Sequence, residues 1–163
     1  MSIMSYNGGT ILAMAGNECI CIASDLRIGE QMTTVAVDQK KVHKIADKVY
    51  KNAVRTSRKS QNQARRTSHN DFKSCLSTSL CMDTIGCIAS PKDFVAVGTG
   101  QEYLLGVCES FWRENMNPEE LFEATAQSML SCLERDAASG WGVVIYTITK
   151  DKVNISTLKG RMD

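Results

Sequence analysis

The chain has 163 residues, 43% of them apolar, and a formal net charge of +1. That length fits a single domain with a core of its own, and the near-neutral balance excludes a chain that binds polyanions with its whole surface. No apolar run reaches the roughly eighteen residues of a membrane-spanning helix. The opening "MSIMSYNGG" lacks the basic start and apolar stretch of a secretory signal, so cytoplasm and nucleus are the expected settings.

Residues 10 to 24, "TILAMAGNECICIAS", predict a hairpin in which two alternating runs flank a polar turn with Gly16. "DLRIGEQ" reads as a loop. "MTTVAVDQKKVHKIADKVY" reads as a pair of short strands joined by a polar "DQKK" turn. Residues 51 to 80 break the pattern: seven Lys or Arg face one acid, Asp71, and nine of the thirty residues are Ser or Thr. Neither a helical nor a strand period survives in its first twenty residues, which predicts a basic, disordered stretch. "CMDTIGCIAS" is apolar with a Gly bend, and "DFVAVGTG" is a strand ending in a Gly-rich turn.

Two helices follow. "QEYLLGVCESFW" has helical spacing through Leu104, Leu105, Cys108 and Phe111. "NPEELFEATAQSMLSCLERDAASG" starts with Asn117 as N-cap, Pro118 in the first helical position, and Glu119 and Glu120 at the positive end. Its apolar face is Phe122, Ala126, Met129, Cys132 and Leu133. "WGVVIYTITKDKVNISTLK" is a closing hairpin. Strands, a gap, strands, helices and strands in that order predict an α+β sandwich.

Seven cysteines stand at 19, 21, 75, 81, 87, 108 and 132, with two histidines, His43 and His69, near none of them in sequence. Cys19 and Cys21 share one face of a strand, which suits buried reduced thiols better than a chelate or a disulfide. No metal and no cofactor is expected.

Four stretches, "MSIMSYNGG", "VAVGTGQEYLLGVCESFW", "ERDAASGWGVV" and "LKGRMD", make residues 1–50 and 81–163 similar to a proteasome β subunit, of the N-terminal-nucleophile hydrolase family. The resemblance implies that family's four-layer αββα sandwich over a single domain, residues 1–163. It also implies that one helical layer is missing where residues 51–80 replace family strands and helices. Active members attack a peptide carbonyl with an N-terminal threonine whose own α-amine is the base. By resemblance, the family's first Asp falls on Asp25 and its lysine on Lys41. The serine of its Gly-Ser-Gly turn falls on Thr99, and the late Asp-x-x-Ser-Gly on Asp136, Ser139 and Gly140. In some members that last loop lies near a cation.

Counting back from Asp25 and from Lys41 by the family's spacing gives position 9 both times, and position 9 is glycine. Thr10 is one residue out of register, and a one-residue slip on a strand turns a side chain to the opposite face, away from Lys41. The expectation is therefore a subunit without a nucleophile, in which Asp25, Lys41, Thr99, Asp136, Ser139 and Gly140 are structural relics. Blander readings of three of them stand beside it: an Asp25–Arg27 loop salt pair, a solvated Lys41, and Asp136 bracing the loop after the long helix.

The resemblance implies a structural role in a ring of proteasome α and β subunits, with assembly chaperones as further partners. It serves ubiquitin-dependent protein degradation, with no nucleic-acid or membrane partner. Alternatives are a truncated or mis-spliced subunit that does not assemble, a threonine-type peptidase, and a small basic nucleic-acid-binding protein. Residues 51–80 themselves have three readings: an out-of-frame or mis-spliced translation, a genuine variant with a disordered insert, or a basic patch for nucleic acid or nuclear import.

Overall fold

A computed structural model describes residues 8–30, 33–46, 49–52, 81–82, 88–89 and 91–161. The alternating runs at the start form strands β1 (Thr10–Ala15) and β2 (Cys19–Asp25), paired antiparallel with Ile11 opposite Ser24 and Ala15 opposite Ile20. Glu18 takes a positive φ of 52° in the tight turn between them. The closing hairpin is β10 (Val143–Thr149) and β11 (Val153–Leu158), and β10 lies along β2 with Val143 opposite Asp25. Strand β9 (Phe94–Gly98) completes the other side of β1, with Thr10 opposite Gly98. The result is a five-stranded antiparallel sheet of order β11-β10-β2-β1-β9.

Alternation along these strands sends Leu12, Met14, Cys19, Cys21, Ala23, Val143 and Ile145 to one face. There they pack under helices α1 (Gln101–Phe111) and α2 (Pro118–Leu133) through Leu104, Cys108, Leu121, Met129 and Cys132. Helix α2 begins as its sequence predicts. Asn117 is extended, Pro118 opens the helix, and the Asn117 amide donates to the Glu120 carboxylate at 3.2 Å. Of the expected α1 stripe, Leu104 and Cys108 are buried, while Leu105 and Phe111 are 40% and 42% exposed. Leu105 lies about 100° round the helix from Leu104 and so reaches water, while Phe111, close to the buried line, is the last residue of the helix. Leu121, fully buried on α2, was not among the residues expected on its apolar face.

The opposite face of the sheet carries Ile22, Val144 and Tyr146, which pack with Val42, Tyr50 and Leu26. Val42 and Tyr50 come from a hairpin of β5 (Val42–Ala46) and β6 (Val49–Asn52), and the rings of Tyr50 and Tyr146 meet at 5.9 Å. The described residues thus stack helices, the main sheet and a second strand layer in an α+β order.

Three expectations need correction. "DLRIGEQ" is not all loop: β3 (Ile28–Glu30) pairs with β4 (Thr33–Ala36). Strands β4 and β5 are therefore not partners across "DQKK", since β4 pairs with β3 and β5 pairs with β6. Lys51 and Asn52 belong to β6, not to a disordered stretch. The rest of the 51–80 reading, the missing helical layer and the Gly bend at 86 lie outside the described residues. Short strands β7 (Cys81–Met82) and β8 (Ile88–Ala89) pair with each other.

Leu12 is fully buried on the central part of β1. Leu12→Ala is expected to destabilise the chain by about 2–5 kcal/mol, through lost burial and the cavity left behind. Urea unfolding followed by tryptophan fluorescence measures this directly.

Candidate functional site

The residues singled out in the sequence converge where β1 begins. Gly8 and Gly9 lead into the strand with φ of +66° and +122°. The Gly9 carbonyl accepts the Thr99 amide at 3.0 Å, which fixes the entering chain against the turn after β9. Strand alternation then divides the surrounding groups into two sets.

On one side stand Lys41 and Asp25. Asp25 ends β2 and is fully buried, while Lys41 immediately precedes β5 and is 6% exposed. They form an ion pair through Lys41 Nζ and Asp25 Oδ1. The same carboxylate accepts the Thr10 amide at 2.9 Å and the Gly140 amide at 3.4 Å. Burial pushes the Asp25 carboxyl upward and the Lys41 ammonium downward, while each partner's charge opposes the other's shift. A Cβ placed on Gly9 would stand 2.9 Å from Lys41 Nζ, so position 9 does face this pair.

On the other side stand Thr10, Thr99, Asp136 and Ser139. The Thr10 hydroxyl, with no exposed surface, points toward Ser139 Oγ at 3.0 Å and Asp136 Oδ2 at 3.3 Å, and accepts the Gly100 amide at 3.2 Å. Asp136 Oδ2 accepts the hydroxyls of Thr99 and Ser139, both at 2.6 Å, and its Oδ1 accepts the Ala138 amide at 3.0 Å. Burial alone would raise the Asp136 carboxyl. The bonds from Ser139, Thr99, Ala138 and Thr10 outweigh it and hold the group below the usual carboxylate value.

The blander readings fare unevenly. Lys41 is buried, not solvated. Asp25 pairs with Lys41, not with Arg27, which is itself buried and donates to the Ala138 carbonyl at 2.8 Å and to Thr34 Oγ1 at 3.0 Å. Asp136 does brace its own loop, through Ala138 and Ser139. Arg27 was considered only as a partner of Asp25, and its actual partners, Thr34 and the Ala138 carbonyl, were not foreseen. Its tie from β3–β4 to the loop at 138 depends on β3, which three residues with a central glycine did not announce.

Cys19, Cys21, Cys108 and Cys132 are free and buried. Burial drives the thiols of Cys21 and Cys108 up to about 11 and that of Cys132, near Asp136, up to about 12. Among the described residues, no group of three or more His, Cys, Asp or Glu could hold a metal ion. No described helix is long and apolar enough to cross a membrane.

The threonine hydroxyl is enclosed, its nitrogen sits in a peptide bond and donates to Asp25, and the lysine faces a glycine. The polar groups are spent on one another, and they tie β1, β2, β5, the start of α1 and the loop after α2 into one knot.

Comparison with known proteins follows the same residues. Residues 5–53 and 79–148 match the proteasome subunit family. Proteasome subunit beta type-3 of Caenorhabditis elegans is 58% identical over the whole of both chains, and those of Picea mariana and Drosophila melanogaster are 36% and 35% identical over the same extent. The nematode alignment spans 204 residues against 163 in this chain, a difference of 41. Residues 54–78 lie between the two matched stretches.

Two outcomes are expected at this site. Lys41→Met leaves the Asp25 carboxylate buried without its cation and should cost about 3–5 kcal/mol of stability, read by chemical denaturation. The second concerns Asp136. Its folded-state value lies below its unfolded one, so its stabilisation is present above the ordinary aspartate range and is lost as pH falls through the folded value. Melting temperature should drop on acidification below about pH 4, and Asp136→Asn should flatten that part of the profile while lowering stability at neutral pH.

Proposed function

The chain belongs to the proteasome subunit family, and from that premise we propose that it serves as a non-catalytic, structural β-type subunit of the proteasome core particle. Its work is architectural: it closes part of a ring and holds neighbouring subunits in place for protein degradation. It assembles with other proteasome subunits. Ring contacts of this kind are heterologous, with two different faces on each subunit meeting two different neighbours.

One observation carries the non-catalytic part. Position 9, which faces Lys41 and Asp25, is a glycine with no side chain to attack a peptide bond, and the adjacent threonine hydroxyl is enclosed on the other face. A nucleophile must lie within reach of its base and of the substrate carbonyl, and neither residue 9 nor residue 10 meets both needs. Asp25, Lys41, Thr99, Asp136, Ser139 and Gly140 then act as the knot that holds β1, β5 and the α2 loop together. Assembly chaperones are further partners, and the expected setting is cytoplasm and nucleus, with no nucleic-acid or membrane ligand.

A second reading rests on the 41-residue difference from the nematode relative: a shortened subunit that does not enter the particle. One experiment separates the two. The tagged full chain, expressed in its own cells, is sized under native conditions, and its N-terminus is read by intact mass. Co-migration with the core particle and an unprocessed start are expected. Migration as monomer or aggregate establishes the second reading, and a mature chain beginning at Thr10 revives the threonine peptidase.

A further inference from the structure

The end of α2 and the end of the chain share an apolar hollow of about 240 Å³. Leu130 and Leu133, half-buried and buried, form its floor, and Glu134, Lys159, Gly160 and Arg161 surround it. Strand β11 delivers the chain to this place. It is an edge of the described five-stranded sheet, with β10 as its partner. Leu158 packs against the helical cluster. Two residues on, a Cβ placed on Gly160 would stand 3.5 Å from the Gly142 nitrogen and 3.9 Å from Leu133 Cδ1. The chain therefore runs onto the end of α2, close against it.

Two residues follow Arg161, and Met162 is the one apolar side chain in "KGRMD". Its Cα lies about 3.8 Å from that of Arg161, which itself lines the hollow. Methionine suits an irregular apolar space, because it is unbranched and carries a polarizable thioether. The charges agree with this path. Asp163 is opposite in sign to Lys159 on the rim, which makes no ion pair among the described residues, while Glu134 repels a carboxylate from the helical side.

We propose that Met162 folds back into this hollow and seats its side chain on Leu130 and Leu133, so that the chain's end is a strap fastening the edge strand β11 to α2. The strap adds a tie to the helical layer for a strand whose sheet partner is β10. It also closes an apolar groove with the chain's own residue, so the subunit presents a charged rim to its neighbours at this corner.

The test treats the full 163-residue chain with dilute hydrogen peroxide, in buffer and in urea, and follows Met162 by the mass of the C-terminal peptide. Sulfoxide forms where the thioether is exposed, so a seated Met162 should oxidise roughly tenfold slower in buffer than in urea, at any protein concentration. Leu130→Gln should bring the rate in buffer close to that in urea. Met162→Ala should melt lower than the parent by roughly 2 °C, and should cost less in the Leu130→Gln background, where the contact is already lost. If Leu130→Gln does not fold, the milder Leu130→Ala serves in the same two comparisons. Equal oxidation in buffer and urea overturns the strap. Protection that Leu130→Gln leaves unchanged also overturns it, since Met162 is then buried elsewhere. Protection that appears only as protein concentration rises overturns it too, and assigns the hollow to the tail of a second copy.

Discussion

A β-strand gives each residue one face, and the structure around the start of β1 follows from which residue received which. Gly9 faces the Lys41–Asp25 pair, and Thr10 faces Thr99, Asp136 and Ser139. Shifting the chain by one residue would bring the threonine side chain to the lysine, but every other side chain on β1 would change face with it. Leu12 and Met14, now fully buried beneath the helices, would turn to the other side of the sheet. The hydrophobic pattern of β1 therefore fixes the chemistry of Thr10, its first residue, and of Gly9 just before it.

The polar groups so divided are costly to bury unless they satisfy one another. Asp25 has three donors, Lys41, Thr10 and Gly140, and Asp136 has four, Thr99, Ser139, Ala138 and Thr10. Thr10 belongs to both sets, giving its amide to Asp25 and its hydroxyl to the Asp136 side. That double attachment makes the two half-sites a single structural unit. A network in which each member answers another cannot easily lose one part, so these side chains serve the fold whatever else they do.

The sequence told different parts of this with different clarity. The β1–β2 and β10–β11 hairpins were plain, because long alternating runs flank short polar turns. Helix α2 was plain because Asn117, Pro118 and Glu120 specify its start. Strand β3 was not, since Ile28–Glu30 is too short for a period to show. The partner of β5 was not legible, because the polar "DQKK" reads as a turn, whereas β5 pairs with β6. Within the site, counting placed Gly9 opposite Lys41 without any structure. The burial of Lys41 was beyond counting, because it depends on a hairpin folding over the sheet, and the same holds for Arg27 reaching the Ala138 carbonyl.

The two faces of the main sheet are unequally furnished among the described residues. The helical face buries a continuous cluster from Leu12 to Ile145, with Trp112, whose indole donates to the Ala15 carbonyl, packed at its margin. The other face buries Val42, Val144 and Tyr146, and nearby Val35 and Ile45 remain 64% and 58% exposed. Apolar area removed from water is the main source of folding free energy, at about 25 cal/mol per Å². The helical half therefore carries most of the stability described here. On that side the described contacts join Val42 to Val144 and Tyr146, and the Lys41–Asp25 pair, one residue before β5, ties the β5–β6 hairpin to the end of β2, a buried ion pair in which loss of one partner would leave the other charge uncompensated.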